Sequence, residues 1–144
     1  MDYNTQPITP HLVVSDAAAA LDFYTKALGA TETMRMAGED GKRLIHAEIT
    51  INGARLFVRD HFPEFMAEGC GTDANQPPTM SGSTSVTIHL EVQDCDAAMA
   101  RAAAAGAKVL MPAEDAFWGA RYGLIVDPFG HTWSFAHPLP GAAG

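Results

Sequence analysis

The sequence predicts an α+β protein made of two copies of one strand–helix–strand–strand–strand module. Three observations carry this. His11-Leu-Val-Val-Ser-Asp16 and the alanine-rich stretch closing at Leu28-Gly29-Ala30 are echoed by His89-Leu-Glu-Val-Gln-Asp94 and a second stretch closing at Ala105-Gly106-Ala107. The copies lie 78 residues apart from His11 to His89 and 77 from Gly29 to Gly106, so one residue has slipped between them. Late in each copy, turn chemistry (Asn52-Gly53, then Asp127-Pro-Phe-Gly130) separates two runs of strand character. Neither half is long enough to bury a core alone, so the halves share their hydrophobic faces, and a pocket belongs at the seam.

In the first copy, residues 9–14 read as a strand, with Leu12 and Val14 on one side and Thr9, His11 and Val13 on the other. Ser15 or Asp16 can cap the helix that follows. Ala17, Leu21, Tyr24 and Leu28 form its apolar stripe, and Gly29 suits a left-handed exit. Residues 31–36 alternate weakly and read as the second strand. Residues 45–51 and 54–58 then flank Asn52-Gly53, a dipeptide that favours a two-residue hairpin turn with both φ angles positive. That turn sets Glu48 opposite Phe57 and His46 opposite Arg59, all four on one side of the sheet.

From Asp60 to about Thr84 the composition shifts to Gly, Pro, Ser, Asn and Thr, with Pro77-Pro78 and Gly69-Cys-Gly71. Residues 61–84 therefore read as a linker between a first module (8–60) and a second (85–138), the whole of 1–144 forming one domain. The linker is either a partly ordered crossover or a flap laying Phe62, Phe65 and Met66 over a pocket mouth. In the second copy residues 85–92 read as a strand, Asp94 caps a helix ending at Gly106, and a strand over 108–111 stops at Pro112. Residues 120–126 and 131–136 close the module as a hairpin around Asp127-Pro-Phe-Gly130, in which proline presets one dihedral and glycine permits a positive one.

Apolar residues make up 47% and charged residues 18% of the 144, which suits a soluble domain with a real core. Nine basic against seventeen acidic residues give a net charge of −8, and no basic stripe exists to displace counterions from phosphates, so a nucleic-acid role is excluded. The negative balance serves solubility or draws in a cationic ligand. The start, Met1-Asp-Tyr-Asn4, lacks a signal-peptide pattern and no apolar run would span a bilayer, so a cytoplasmic protein without membrane partners is expected. Cys70 and Cys95 have no metal-knuckle spacing and are read as reduced.

Strand alternation then sorts the polar residues. If Leu12, Val14, Ile88, Leu90 and Val92 pack under the helices, then Thr9, His11 and Val13, and Thr87, His89 and Glu91, face away from them. His11 and His89 hold equivalent repeat positions, and a two-fold-like arrangement would bring them near each other, with His46 and Glu48 joining from the third strand. A carboxylate buried there is paired, metal-bound or protonated. The segment Phe117-Trp-Gly-Ala-Arg-Tyr-Gly123 is either a loop gripping a flat or anionic ligand group through Trp118, Arg121 and Tyr122, or an aromatic plug with Arg121 on the surface. His131 and Trp133 read as packing residues.

The repeat, Asp22-Phe-Tyr24, Ala27-Leu-Gly29 and the closing Asp127-Pro-Phe-Gly-His-Thr-Trp133 resemble the glyoxalase, bleomycin-resistance and extradiol dioxygenase (vicinal oxygen chelate) superfamily. Ile8-Thr-Pro-His-Leu12, His46-Ala-Glu48 and Phe117-Trp-Gly119 resemble its PhnB-like branch most. The resemblance spans roughly residues 8–138 and implies two βαβββ modules whose eight strands form a curved, mostly antiparallel sheet around a central cleft, usually in a homodimer. Metal-dependent members take ligands from the first and last strand of each module. The repeat offsets place those positions at Thr9, Phe57, Thr87 and Ser134, none a good divalent-metal ligand, so the usual four-residue site is missing here.

Three functions follow as expectations. The first is a protein that binds or acts on a small organic compound without metal, like drug-sequestering relatives, with Phe57, Trp118 and Tyr122 giving apolar contact and Glu48, Glu91 and Arg59 orientation. His11, His46, His89, Arg121 and Ser134 complete the expected pocket. The second is a lyase, isomerase or dioxygenase-like enzyme with a divalent metal (zinc, nickel, manganese or iron) on a displaced His11, His89 and Glu48 site, Glu48 or Glu91 moving the proton. The third is a partner-binding module whose cleft is vestigial.

Overall fold

The structure, a computed structural model, describes residues 5–65 and 75–141; Met66, Cys70 and the start of the chain at Met1 lie outside them. The first module runs β1 (His11–Val14), α1 (Ala17–Leu28), β2 (Thr31–Ala37), β3 (Leu44–Ile51) and β4 (Ala54–Asp60). A short helix α2 (Pro78–Ser81) precedes the second: β5 (Thr87–Glu91), α3 (Cys95–Ala105), β6 (Lys108–Asp115), β7 (Ala120–Val126) and β8 (Thr132–Pro138).

Each module folds its strands into its own four-stranded sheet, in the orders β1-β4-β3-β2 and β5-β8-β7-β6. The β1–β4 and β5–β8 pairs are parallel and the other pairs antiparallel, so the eight strands are divided between two mixed sheets that stay open. The hairpin in the first module follows from its turn. Asn52 and Gly53 take φ of 50° and 82°, and the register then sets Glu48 against Phe57, as the dipeptide predicts.

The two helices start alike. Asp16 accepts from the Ala19 N–H and Asp94 from the Ala97 N–H, each at 3.1 Å. Gly29 ends α1 with φ +68°. Each helix covers one face of its own sheet, and the two helices pack against each other across the seam. One apolar cluster therefore runs through both modules, with Leu21, Tyr24, Ile49, Trp133 and Phe135 fully buried. Burial of each such side chain stabilises the fold by roughly 2 kcal/mol.

Asp127 is the polar centre of that seam. Its Oδ1 accepts from the Phe129 and His131 N–H groups at 2.9 and 3.0 Å. Its Oδ2 accepts from the Tyr24 hydroxyl at 2.7 Å and the Trp133 indole at 2.9 Å. His131 Nε2 donates across the seam to the Val13 carbonyl at 2.8 Å, and Arg101 Nε to the Lys26 carbonyl at 2.7 Å.

Two boundaries differ from the sequence expectation. β1 begins at His11 and not at Thr9, because Pro10 has no N–H to offer, although its carbonyl still accepts from Phe57 at 2.9 Å. β6 runs through Pro112 to Asp115 with shifts in register on either side of Met111. It is an edge strand, where a proline costs no ladder bond on its outer side. In the linker, Phe62 is buried at the end of the first sheet, stacked on Phe65 and lying under the Arg43 guanidinium.

Candidate functional site

The helices leave one face of each sheet open, and strand parity decides what stands on it. On the first, the His11, His46 and Phe57 rings form a corner, with centroids 5.9 Å apart for His11–His46, 5.6 Å for His11–Phe57 and 4.6 Å for His46–Phe57. Glu48 pairs in register with Phe57 and lies with Oε2 3.3 Å from His46 Nε2. Arg59 follows Phe57 on the same face and donates to the Asp60 carbonyl at 3.1 Å. Burial, then the charges of Arg59 and His46, lowers the His11 pKa below its ordinary 6.5, so its ring is neutral at pH 7 and can accept a hydrogen bond.

The repeat supplies an internal comparison. His11↔Phe57 corresponds to His89↔Ser134, and Glu48↔Phe57 to Leu124↔Ser134. By the same offset Tyr122 takes the place of His46 and Ala136 that of Arg59. The second face has thus lost the charged set of the first.

There His89 Nε2 lies 3.0 Å from Glu91 Oε1 and Nδ1 lies 2.7 Å from Ser134 Oγ. A carboxylate only accepts, so Nε2 carries the proton and Nδ1 accepts from the serine hydroxyl. The order resembles a nucleophilic serine triad, but burial runs the wrong way: Ser134 is 2% exposed and the Glu91 side chain 69%. These contacts fix the tautomer of His89 and leave Ser134 shielded from any substrate. The Tyr122 ring stacks on His89 at 6.3 Å, with Trp118 5.6 Å beyond it.

Arg121 differs from its expected place beside Tyr122. Its guanidinium is held by Asp96 of α3 at 2.7 and 3.0 Å and by Asp115 at 2.9 Å. Neighbouring residues of one strand point to opposite faces, so Arg121 lies on the helix side.

His11 and His89 do not form one cluster: the first packs with His46 and Phe57, the second with Glu91, Ser134 and Tyr122. Among the described residues no group of three His, Cys, Asp or Glu side chains is arranged to hold a metal ion. The positions where metal-dependent relatives carry ligands do not fit one either. Thr9 Oγ1 accepts from the Arg55 guanidinium at 2.6 and 3.0 Å, a cation no metal would tolerate beside it. Phe57 offers a phenyl ring, Thr87 Oγ1 bonds Thr132 Oγ1 at 3.0 Å, and Ser134 is engaged by His89.

A cleft of about 560 Å³ lies at the seam, between β1, the end of the linker, Ile88 and His131. His11 and Val13 form one wall; Ser81, Ser83, Thr84 and Ser85 supply hydroxyls. Sequence reasoning missed those linker residues, because a run of small polar residues has no periodicity to mark a wall. His131, a packing residue by sequence, also lines the cleft and is held there by its bond to the Val13 carbonyl.

Residues 6–135 match the family model of the Glyoxalase/Bleomycin resistance protein/Dioxygenase superfamily, and the chain belongs to that superfamily. It is 49% identical over 140 residues to the Mycobacterium tuberculosis protein Rv0887c, described as uncharacterized, covering 96% of this chain and 79% of that one. Among solved structures it is similar to TioX from a Micromonospora species, with 26% identity, a TM-score of 0.70, and coverage of 92% and 98% of the two chains. A PhnB protein from Bacillus cereus, titled a putative 3-demethylubiquinone-9 3-methyltransferase, shares the fold at 20% identity and a TM-score of 0.62, over 90% and 98%.

Proposed function

We propose that this protein binds a small organic molecule in the seam cleft, with part of the ligand reaching the open face of the first sheet. The observation that carries this is the position of His11, which lines a cleft of about 560 Å³ and also packs into the His46–Phe57 corner. A volume of that size falls in the range used by small-molecule sites. Phe57 supplies apolar surface, neutral His11 accepts, and Glu48 and Arg59 orient. On the second face, His89, Glu91, Trp118 and Tyr122 offer a further contact surface. If the bound compound is turned over, Glu48 beside His46 is the group placed to accept a proton.

The reading includes a homodimer in the cytoplasm. Val109, Leu110 and Met111 on edge strand β6, and Phe117 and Trp118 at the hairpin tip, are all exposed apolar surface.

The test is thermal: a broad panel of uncharged and charged small aromatics and glycopeptides is scanned for compounds that raise the melting temperature. At least one class is expected to do so, and to lose its effect in His11→Ala. A panel without any stabilising compound would sink the proposal.

A further inference from the structure

We propose that the corner formed by Arg59, His11 and His46 is an anion subsite, and that the ligand is an aromatic or apolar molecule bearing an oxyanion head. The inference rests on reading this face as part of a binding site.

The pattern of ion pairs carries it. Acidic residues outnumber basic ones seventeen to nine, so guanidinium groups have no shortage of partners. Arg35 is paired with Glu32, Arg43 with Asp40 and Glu64, and Arg121 with Asp96 and Asp115, while Arg55 donates to oxygens of Gln6 and Thr9 and Arg101 to the Lys26 carbonyl. Arg59 is half-buried, yet among the described residues no carboxylate lies within ion-pair reach of it. Its one hydrogen bond uses one of the five N–H donors of the fork, which suits carboxylate or phosphate geometry.

The surroundings favour an anion there. Each imidazole of the corner carries an N–H donor even when neutral, and Glu48 lies against His46. Phe57 provides the apolar wall for the body of the ligand. The second sheet shows that the fold does not require a cation at this position, since Ala136 stands where Arg59 does and Tyr122 where His46 does. The acidic whole-chain charge points to a cationic ligand; the local arrangement points the other way.

Isothermal titration with benzoate, phenylphosphonate, benzyl alcohol and benzylamine separates the possibilities. The two anions are expected to bind about tenfold tighter than the alcohol, the scale of one charge-assisted hydrogen bond. Arg59→Gln should erase that preference by bringing the anions down to the affinity of the alcohol, Arg59→Lys should keep part of it, and Arg35→Gln, on the helix side, should leave it intact. Alcohol or amine binding as tightly as the anions overturns the anion subsite while leaving the small-molecule reading in place. Failure of all four probes, with folding confirmed by circular dichroism, counts against both.

Discussion

The Tyr24 hydroxyl donates to Asp127 Oδ2 at 2.7 Å, joining the helix of one module to the turn of the other inside the core. Burial, then the Asp127 charge, raises the Tyr24 pKa well above 10, so the phenol stays a donor. Tyr24→Phe leaves one acceptor position of a buried carboxylate unserved and should cost about 1–3 kcal/mol. Asp127→Asn should cost more, because each carboxylate oxygen accepts from two donors and an amide NH2 in place of either would face two of them. Urea denaturation of the two variants checks the order.

The two helix starts are anchored by different chemistry at equivalent positions. Asp60 accepts from the Ala17 and Leu44 N–H groups at 2.9 and 2.6 Å, while His137 Nδ1 accepts from the Cys95 N–H at 2.8 Å. Asp60→Ala removes two buried acceptors and His137→Ala one. The expected losses are about 2–4 and about 1 kcal/mol. Amide exchange should speed at Ala17 and Leu44 in the first variant and at Cys95 in the second. Equal losses would show that the modules do not differ in this way.

What the sequence revealed follows from how local each determinant is. The Asn52-Gly53 turn sets a register, so Glu48 opposite Phe57 was readable, and parity alone separated His11 from Leu12. The same rule, applied to Arg121 and Tyr122, puts them on opposite faces, which the gripping-loop reading of residues 117–123 ignores and the plug reading, with Arg121 on the surface, allows. The distance between His11 and His89 was not readable, because it depends on how α1 packs on α3 and not on either strand. The cleft was placed at the seam by the repeat, but its linker wall comes from residues without a hydrophobic pattern. Whole-chain charge gave no hint that Arg59 would be left without an acidic partner.

Gly130 shows how closely the last turn is fitted to the linker. Its φ is +88°, and a Cβ there would lie 2.6 Å from Pro78 Cβ and 3.3 Å from the Pro78 carbonyl carbon. Gly130→Ala adds a strained dihedral to a clash with α2, and should cost about 2 kcal/mol or more. Since Pro78 also lines the seam cleft, ligand-induced stabilisation should shrink in this variant. The Gly41→Ala control has a positive φ of +69° but nothing within 4 Å, so it should show strain alone and keep the ligand response.

His11 makes stability depend on pH in a calculable direction. Its folded pKa lies below the ordinary 6.5, with burial the larger cause and the charges of Arg59 and His46 the next. Well above pH 6.5 neither the folded nor the unfolded imidazole binds a proton, and His11 contributes no pH dependence. As pH falls through 6.5 the unfolded chain takes up a proton that the folded chain resists, so stability drops until the folded pKa is passed. The charges of Arg59 and His46 enforce the effect. Urea denaturation at pH 7.5 and 5.5 should therefore show a larger loss in the wild type than in His11→Gln. Arg59→Gln should fall between the two, and an anion bound at the corner should reduce the loss, because it favours the protonated ring. The same pH dependence in the wild type and His11→Gln would mean that this imidazole is not the titrating group.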